Sequence, residues 1–358
     1  MPSSSQALAE PAWDEHAARA GIAAIVADTE AAHSDGAWPL HPRDQEPDDP
    51  PVFGGVYIGT AGIAWALHRL GSQVDVAALL DAAFRLGADF AGEEASLLCG
   101  ESGLQLVARA VGARYDEERL AALVHANEQH PARELLVGSP GSMLAARHAG
   151  LEDAWRSAAA VLVAEAEDDG LWTQHLFGKS SRFIGPVHGF AGNVHVLRGY
   201  LGADALRAWV DRVLRAHAVW DGDTVNWPPT DGSEPSRVQW CHGAPGIVAT
   251  LGDLMAEDLL LAAAELTWRT GPLDRRPGLC HGTAGNGYAL LRMHDLTGDD
   301  IWLQRARSFA MRALEQVEET RAEHGAGWYS LFTGDIGVAL FVQSCIDADG
   351  RFPIMDVV

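Results

Sequence analysis

Two Cys-His pairs occupy matched places in this sequence. One lies in Trp240-Cys241-His242-Gly243-Ala244-Pro245-Gly246, the other in Leu279-Cys280-His281-Gly282-Thr283-Ala284-Gly285-Asn286. Each runs straight into Gly-x-x-Gly, and 39 residues separate Cys241 from Cys280. Thiolate and imidazole are together the donors that zinc prefers. Three protein donors leave a fourth position open for catalysis, whereas four close the site. The expected ligands are Cys241, Cys280 and His281, which leaves His242 and His188 for proton transfer. The competing reading makes the cysteines packing residues and the histidines satisfied core residues. Two pairs at one repeat position favour the metal over that reading.

Elements must bring these residues together, and the chain is repetitive enough to do so. A Gly-x-x-Gly element begins at Gly59, Gly100, Gly138, Gly189, Gly243, Gly282 and Gly334, at intervals of 41, 38, 51, 54, 39 and 52 residues. A small apolar stretch follows each, such as Ile63-Ala64-Trp65-Ala66-Leu67, and an amphipathic stretch usually precedes it. The clearest amphipathic stretch is Asp300 to Glu318, with Ile301, Trp302, Ala306, Phe309, Ala310, Ala313 and Leu314 near helical spacing. One repeat therefore reads as an amphipathic helix, a glycine turn and an apolar helix. Seven such pairs predict an all-α ring, an (α/α)7 toroid with its turns gathered at one end. No polar capping repeat stands at either end, as an open solenoid would require.

The residue before the first glycine of each turn is, in order, Ile58, Cys99, Val137, His188, His242, His281 and Thr333. Closure of the ring would crowd the three histidines beside Cys241 and Cys280. Arg237, four residues before Cys241, is a candidate to stabilise a developing oxyanion, or else a surface arginine. Glu134, four before Gly138, is a candidate to hold a histidine tautomer, or else a solvated carboxylate at a helix end. Cys99 and Cys345 lack a partner histidine and are expected in the core. The Pro-, Gly- and Asp-rich stretch from Asp221 to Gln239 is a loop of the kind that borders sites.

The 358 residues are 47% hydrophobic and carry a net charge of -23, enough apolar content for a sizeable core. That charge argues against nucleic acid or an anionic membrane as partner. No apolar run approaches the length of a membrane span, and the first ten residues lack the pattern of a signal peptide. A cytoplasmic protein with reduced cysteines is the expectation. Trp13 to Ala32 reads as the first outer helix and His33 to Pro51 as a linker. The expected organisation is one domain over 1–358, with helix and linker in 1–50 and the repeat ring in 51–358.

From about Val52 onward the chain resembles the LanC-like proteins, relatives of the lanthionine synthetase cyclases. The two Cys-His motifs carry the resemblance. Leu97-Leu98-Cys99-Gly100-Glu101-Ser102-Gly103, Glu134-Leu135-Leu136-Val137-Gly138, Gly185-Pro186-Val187-His188-Gly189-Phe190-Ala191-Gly192 and Ser330-Leu331-Phe332-Thr333-Gly334 support it. His242 stands where the bacterial cyclases often have tyrosine, so the stand-alone, glutathione-associated branch is the nearer likeness.

The resemblance implies an (α/α)7 toroid with one zinc ion at Cys241, Cys280 and His281. It also implies an acid/base histidine at His188, an active-site arginine at Arg237, an acidic partner at Glu134 and a glutathione contact at Arg275. The implied reaction adds a thiol, from a peptide cysteine or from glutathione, to dehydroalanine or dehydrobutyrine in a dehydrated peptide or protein. A thiolate attacks the β-carbon, charge moves to an enolate oxygen near Arg237, and His188, or else His242, protonates the α-carbon. A separate dehydratase or kinase would prepare the substrate. The reading from a different class is a non-catalytic zinc protein that binds glutathione or a peptide. Prenyl transfer and glycoside hydrolysis fit less well, because the turns lack a basic cluster for diphosphate and paired carboxylates.

Overall fold

The computed structural model describes residues 12–176, 178–274 and 276–358. Among them are fourteen α-helices, numbered here in chain order. The first seven are α1 (Glu15–Ala32), α2 (Thr60–Arg69), α3 (Val76–Leu86), α4 (Glu101–Ala110), α5 (Glu117–Asn127), α6 (Ser139–Ala149) and α7 (Glu152–Ala164). The rest are α8 (Phe190–Val196), α9 (Ala203–His217), α10 (Ala244–Leu251), α11 (Glu257–Thr270), α12 (Thr283–Thr297), α13 (Asp300–His324) and α14 (Asp335–Asp347).

Even-numbered helices are inner. Their sequences are small and apolar, and α10 is buried along its whole length. Odd-numbered helices are outer and expose one face. In α3, Leu79, Leu80, Ala82 and Ala83 turn inward while the rest meets solvent or the margin. Such amphipathic helices gain their stability chiefly from the packed face. The helix expected over Asp300 to Glu318 continues to His324, and Ile301, expected on its apolar face, is exposed.

Every Gly-x-x-Gly element begins an inner helix. Gly59, Gly100, Gly138, Gly189, Gly243, Gly282 and Gly334 are the N-caps of α2, α4, α6, α8, α10, α12 and α14. The second glycine has a steric cause. A Cβ on Gly246 would collide with the carbonyl oxygen of Trp240, and one on Gly62 with that of Val56. The same clash, with the carbonyl six residues back, recurs at Gly103, Gly141, Gly192, Gly285 and Gly337.

Those second glycines also record the closure of the ring. Each faces the side chain of the residue that begins the preceding turn: Gly103 faces Val56, Gly141 Leu97, Gly192 Leu135, Gly246 Pro186, Gly285 Trp240 and Gly337 Leu279. Gly62, in the first repeat, faces Leu331 of the seventh. The turns are also stitched by backbone hydrogen bonds. Tyr57 N–H donates to Leu98 (2.8 Å), Leu135 to Val187 (2.8 Å), Cys241 to Cys280 (2.9 Å), Cys280 to Phe332 (2.7 Å) and Phe332 to Tyr57 (3.1 Å). The last of these joins the seventh turn to the first. The helical (α/α)7 ring expected from the repeats is the observed fold.

Among the described residues two antiparallel strand pairs decorate it: β1 (Gln174–Leu176) with β2 (Lys179–Ser181), and β3 (Val219–Asp221) with β4 (Thr224–Asn226). Both occupy the longer intervals between repeats. The linker His33 to Pro51 folds back onto the turn end, where Asp44 accepts hydrogen bonds from Trp328 Nε1 and Thr333 Oγ1, each 2.5 Å. Among the described residues, no helix is long and apolar enough to cross a membrane.

Candidate metal centre and its cavity

The inner helices start at the same end of the ring, so their amide-rich N-termini surround one opening. Helix N-termini carry partial positive charge, which favours anions nearby. A cavity of about 290 Å³ lies at this end. Its wall is made largely by the residues one and two places before the first glycine in six of the seven turns. These are Tyr57 and Ile58, Cys99, Leu136, Val187 and His188, Cys241 and His242, and Cys280 and His281. Asp89, Phe90 and Arg237 complete it.

One side of this wall gathers the sulfur and nitrogen donors. The two Sγ atoms of Cys241 and Cys280 and a ring nitrogen of His281 all lie within 4.8 Å of one another. Both cysteines are buried and neither is in a disulfide. The Cys280 thiol lies in hydrogen-bonding contact with Cys241, which lowers the Cys241 thiol below its ordinary value and pushes that of Cys280 well up. Burial raises both, and Arg237 assists the lowering at Cys241. Two buried sulfurs beside an imidazole suit zinc, whose bonds to S and N are about 2.0–2.3 Å. The donor set fits a single ion.

The other chemical feature is a pair of imidazoles. His188 and His242 stack with ring centres 5.8 Å apart. The His188 Nδ1 is 2.7 Å from Glu134 Oε2. Glu134 is fully buried and also accepts the backbone N–H of Leu136 (3.0 Å), Val137 (2.7 Å) and Gly138 (3.1 Å). The carboxylate is therefore fixed by the turn that it begins, and is no solvated helix-end group. Burial works against a charged His188, but the bond to Glu134 and its charge prevail and raise the imidazole above its ordinary value. His242 has no such partner. Burial, then the neighbouring His188, Arg237 and His281, push it down to about 3.

Arg237 lies in the loop after β4, where Asn226 Nδ2 holds its carbonyl (3.0 Å) and the same carbonyl crowds Gly243. Gly243 has φ +111°, a conformation open to glycine and strained for other residues. The stretch from Asp221 to Gln239, expected to be a loop, holds β4, and the part after that strand borders the site. The structure brings Glu134, His188, Arg237, Cys241, His242, Cys280 and His281 to one cavity and its immediate wall. Arg275 lies outside the described residues. Cys345 is a core residue, as expected. Cys99, expected in the core, is buried but faces the cavity.

Several wall residues escaped the sequence reading. Tyr57, Leu136 and Val187 stand two places before the first glycine, where Cys241 and Cys280 stand, and extending that position through every repeat would have found them. Asp89 had no such signal. It accepts the N–H of Gly54 (2.9 Å) and Gly55 (2.8 Å), and burial raises its carboxyl to about 7.

A ring of seven helix pairs with a Cys-Cys-His donor set at its turn end defines a class: an α/α toroid built around a candidate metal centre. The family described as "Lanthionine synthetase C-like protein" matches residues 50–357, and the chain belongs to that family. It is 33% identical over 190 residues to the LanC-like protein GCL1 of Arabidopsis thaliana, across 48% of this chain and 43% of that protein. It is 28% identical over 191 residues to the glutathione S-transferase LANCL1 of Danio rerio, across 49% of this chain and 46% of that protein. The matched stretch thus spans less than half the length of either relative. Nisin cyclase shares the fold, with a TM-score of 0.62, 15% identity, and coverage of 94% of this chain and 95% of its own.

Proposed function

We propose that the protein adds a thiol to a dehydroalanine or dehydrobutyrine residue of a peptide or protein, forming a thioether. The observation that carries this reading is a single cavity holding both the Cys241, Cys280 and His281 donor set and a glutamate-backed imidazole, His188. Zinc held by those three residues would supply Lewis acidity, which makes an incoming thiol a thiolate at neutral pH.

The chain's own residues account for the remaining steps. The thiolate sulfur forms a bond to the β-carbon of the acceptor, and the alkene electron pair moves to the carbonyl oxygen. Arg237 and the surrounding helix N-termini stabilise that enolate. The α-carbon then takes a proton, which completes the balance of an addition with no leaving group. His188 is the assigned donor, because its bond to Glu134 keeps Nδ1 occupied and favours the protonated ring. His242, driven to its neutral form, is assigned to packing beside His188 and not to acid catalysis. The apolar wall of Ile58, Phe90, Leu136 and Val187 excludes water from the acceptor.

The thiol is assigned as glutathione or a cysteine of the same peptide. The name of the Danio rerio relative supports glutathione, with Arg275 proposed as a contact. The acceptor is proposed to come from a separate dehydratase or kinase. The test mixes zinc-loaded protein, a dehydroalanine peptide and glutathione, and follows peptide mass. A mass increase of one glutathione above the protein-free control is expected. Bound glutathione or peptide with no adduct would overturn catalysis in favour of a binding protein.

A further inference from the structure

A segment that enters the ring from its far end packs against Trp240 and Phe332, the neighbours of Cys241 and Cys280. After α14 the chain turns at Ala348, and residues 350–358 pass under the C-terminal ends of the inner helices. The Met355 carbonyl faces Nε2 of His148 (3.2 Å), at the end of α6, and of His195 (3.4 Å), at the end of α8. Asp356 closes the turn through Phe352 N–H (2.9 Å), and Asp295 Oδ2 accepts the N–H of Gly350 (3.0 Å). So anchored, the segment sends Phe352 upward into the ring, where it is 2% exposed.

Phe352 meets Trp240, in the turn of Cys241, and Phe332, in the seventh turn. Its ring stacks on Trp240 at 4.2 Å between centres and 3° between planes, and lies 6.4 Å from Phe332. Trp240 is bonded to Cys241. Phe332 supplies the carbonyl that accepts the Cys280 N–H at 2.7 Å. The Trp240 indole N–H has no hydrogen-bond partner among the described residues, so packing alone sets that ring. On its remaining side, Trp240 Cβ closes against Gly285. Tyr288 buttresses Phe352 in turn, edge-on at 5.0 Å.

We propose that Phe352 is a positioning residue for the metal centre, fixing the spacing of Cys241 and Cys280 through Trp240 and Phe332. The inference rests on the reading that Cys241, Cys280 and His281 hold a metal. Residues that orient metal ligands without touching the ion typically alter affinity by roughly 10–100-fold. Removing the Phe352 ring frees the Trp240 indole to rotate, and the Cys241 backbone moves with it.

The test titrates metal-free protein with cadmium, reading the thiolate-to-metal charge-transfer absorption and competition by a chelator. Phe352→Ala is compared with Phe352→Tyr, which keeps the flat face, and with Met355→Ala, which removes a buried side chain from the same segment but keeps its carbonyl clamp. Phe352→Ala is expected to weaken cadmium binding by roughly tenfold or more and to change the near-UV dichroism of Trp240. Phe352→Tyr and Met355→Ala are expected to stay close to wild type. If Phe352→Ala does not fold, Phe352→Leu, of similar bulk without the flat face, takes its place. Wild-type affinity in the Phe352 variant overturns the proposal, and so does equal loss in the Met355 variant. A wild type that takes up no cadmium overturns both this inference and the metal reading beneath it.

Discussion

His188 and His242 are the same side chain, stacked 5.8 Å apart, yet the site pushes them in opposite directions. The difference is one carboxylate. Glu134 is pinned by three backbone N–H groups and turns its remaining capacity to His188. Replacing it by glutamine keeps the shape and removes the charge that holds the proton on His188. Glu134→Gln should therefore shift the alkaline limb of the activity profile to lower pH, since the His188 value falls. The pH dependence of thioether formation checks this, and an unmoved limb would contradict the assignment. His188→Asn should retain metal and lose about 10²–10⁴-fold in rate, the usual worth of a positioned proton donor. Single-turnover mass spectrometry on the metal-loaded variant reads that loss. These two roles were only half legible in the sequence. The position of His188 before Gly189 marked it, whereas Glu134 is an ordinary carboxylate until the fourth turn is seen against the third.

At the scale of elements, the Gly-x-x-Gly turn is the unit that both folds and functions. Its second glycine leaves room for a carbonyl six residues back, and in six of the seven turns one or both preceding residues line the cavity. Gly285→Ala would drive a methyl into the Leu279 carbonyl, one residue from Cys280. Overpacking of this kind typically costs about 1–3 kcal/mol, so denaturant melts should show a loss of that size with metal affinity falling alongside. A second device joins elements away from the site. Asp253, in the short turn after α10, accepts from Arg198 (2.6 and 2.9 Å) and Arg292 (3.0 Å). Burial alone would raise its carboxyl, but the Arg198 bond and the charges of both arginines hold it down to about 2. A depressed carboxylate adds stability above its unfolded value near 4, and that stability is lost as pH falls from about 4 to about 2. Asp253→Asn should melt lower than wild type at neutral pH, and the gap in Tm should close by pH 2. The repeat made the inner helices readable. The hairpins were not, because each is an insertion whose three-residue strands carry little periodicity.

For the molecule as a whole, the decisive event is closure. Gly62 against Leu331 and Phe332 N–H to Tyr57 carbonyl join residues some 270 apart in sequence. Only then do six repeats lend turn residues to one cavity. Seven repeats without a polar cap pointed to a ring, but no local pattern told that Asp44 from the linker would reach Thr333, or that Phe352 would back Trp240. Those contacts depend on where the ring puts its two ends, which composition does not encode. The large apolar core takes in Cys241 and Cys280 but draws most of its residues from helices away from the donor set. Chelation should therefore leave the helical dichroism intact while lowering Tm by the amount that mass action sets.

The claim beneath all of this is that Cys241, Cys280 and His281 hold a metal ion. Elemental analysis of the purified protein, wild type beside Cys280→Ala, tests it most directly. About one zinc per chain is expected in the wild type, lost in the variant while its helical content persists. A wild type that carries no zinc and takes up none on titration would contradict it, and would leave the two Cys-His pairs as packing residues of a closed helical ring.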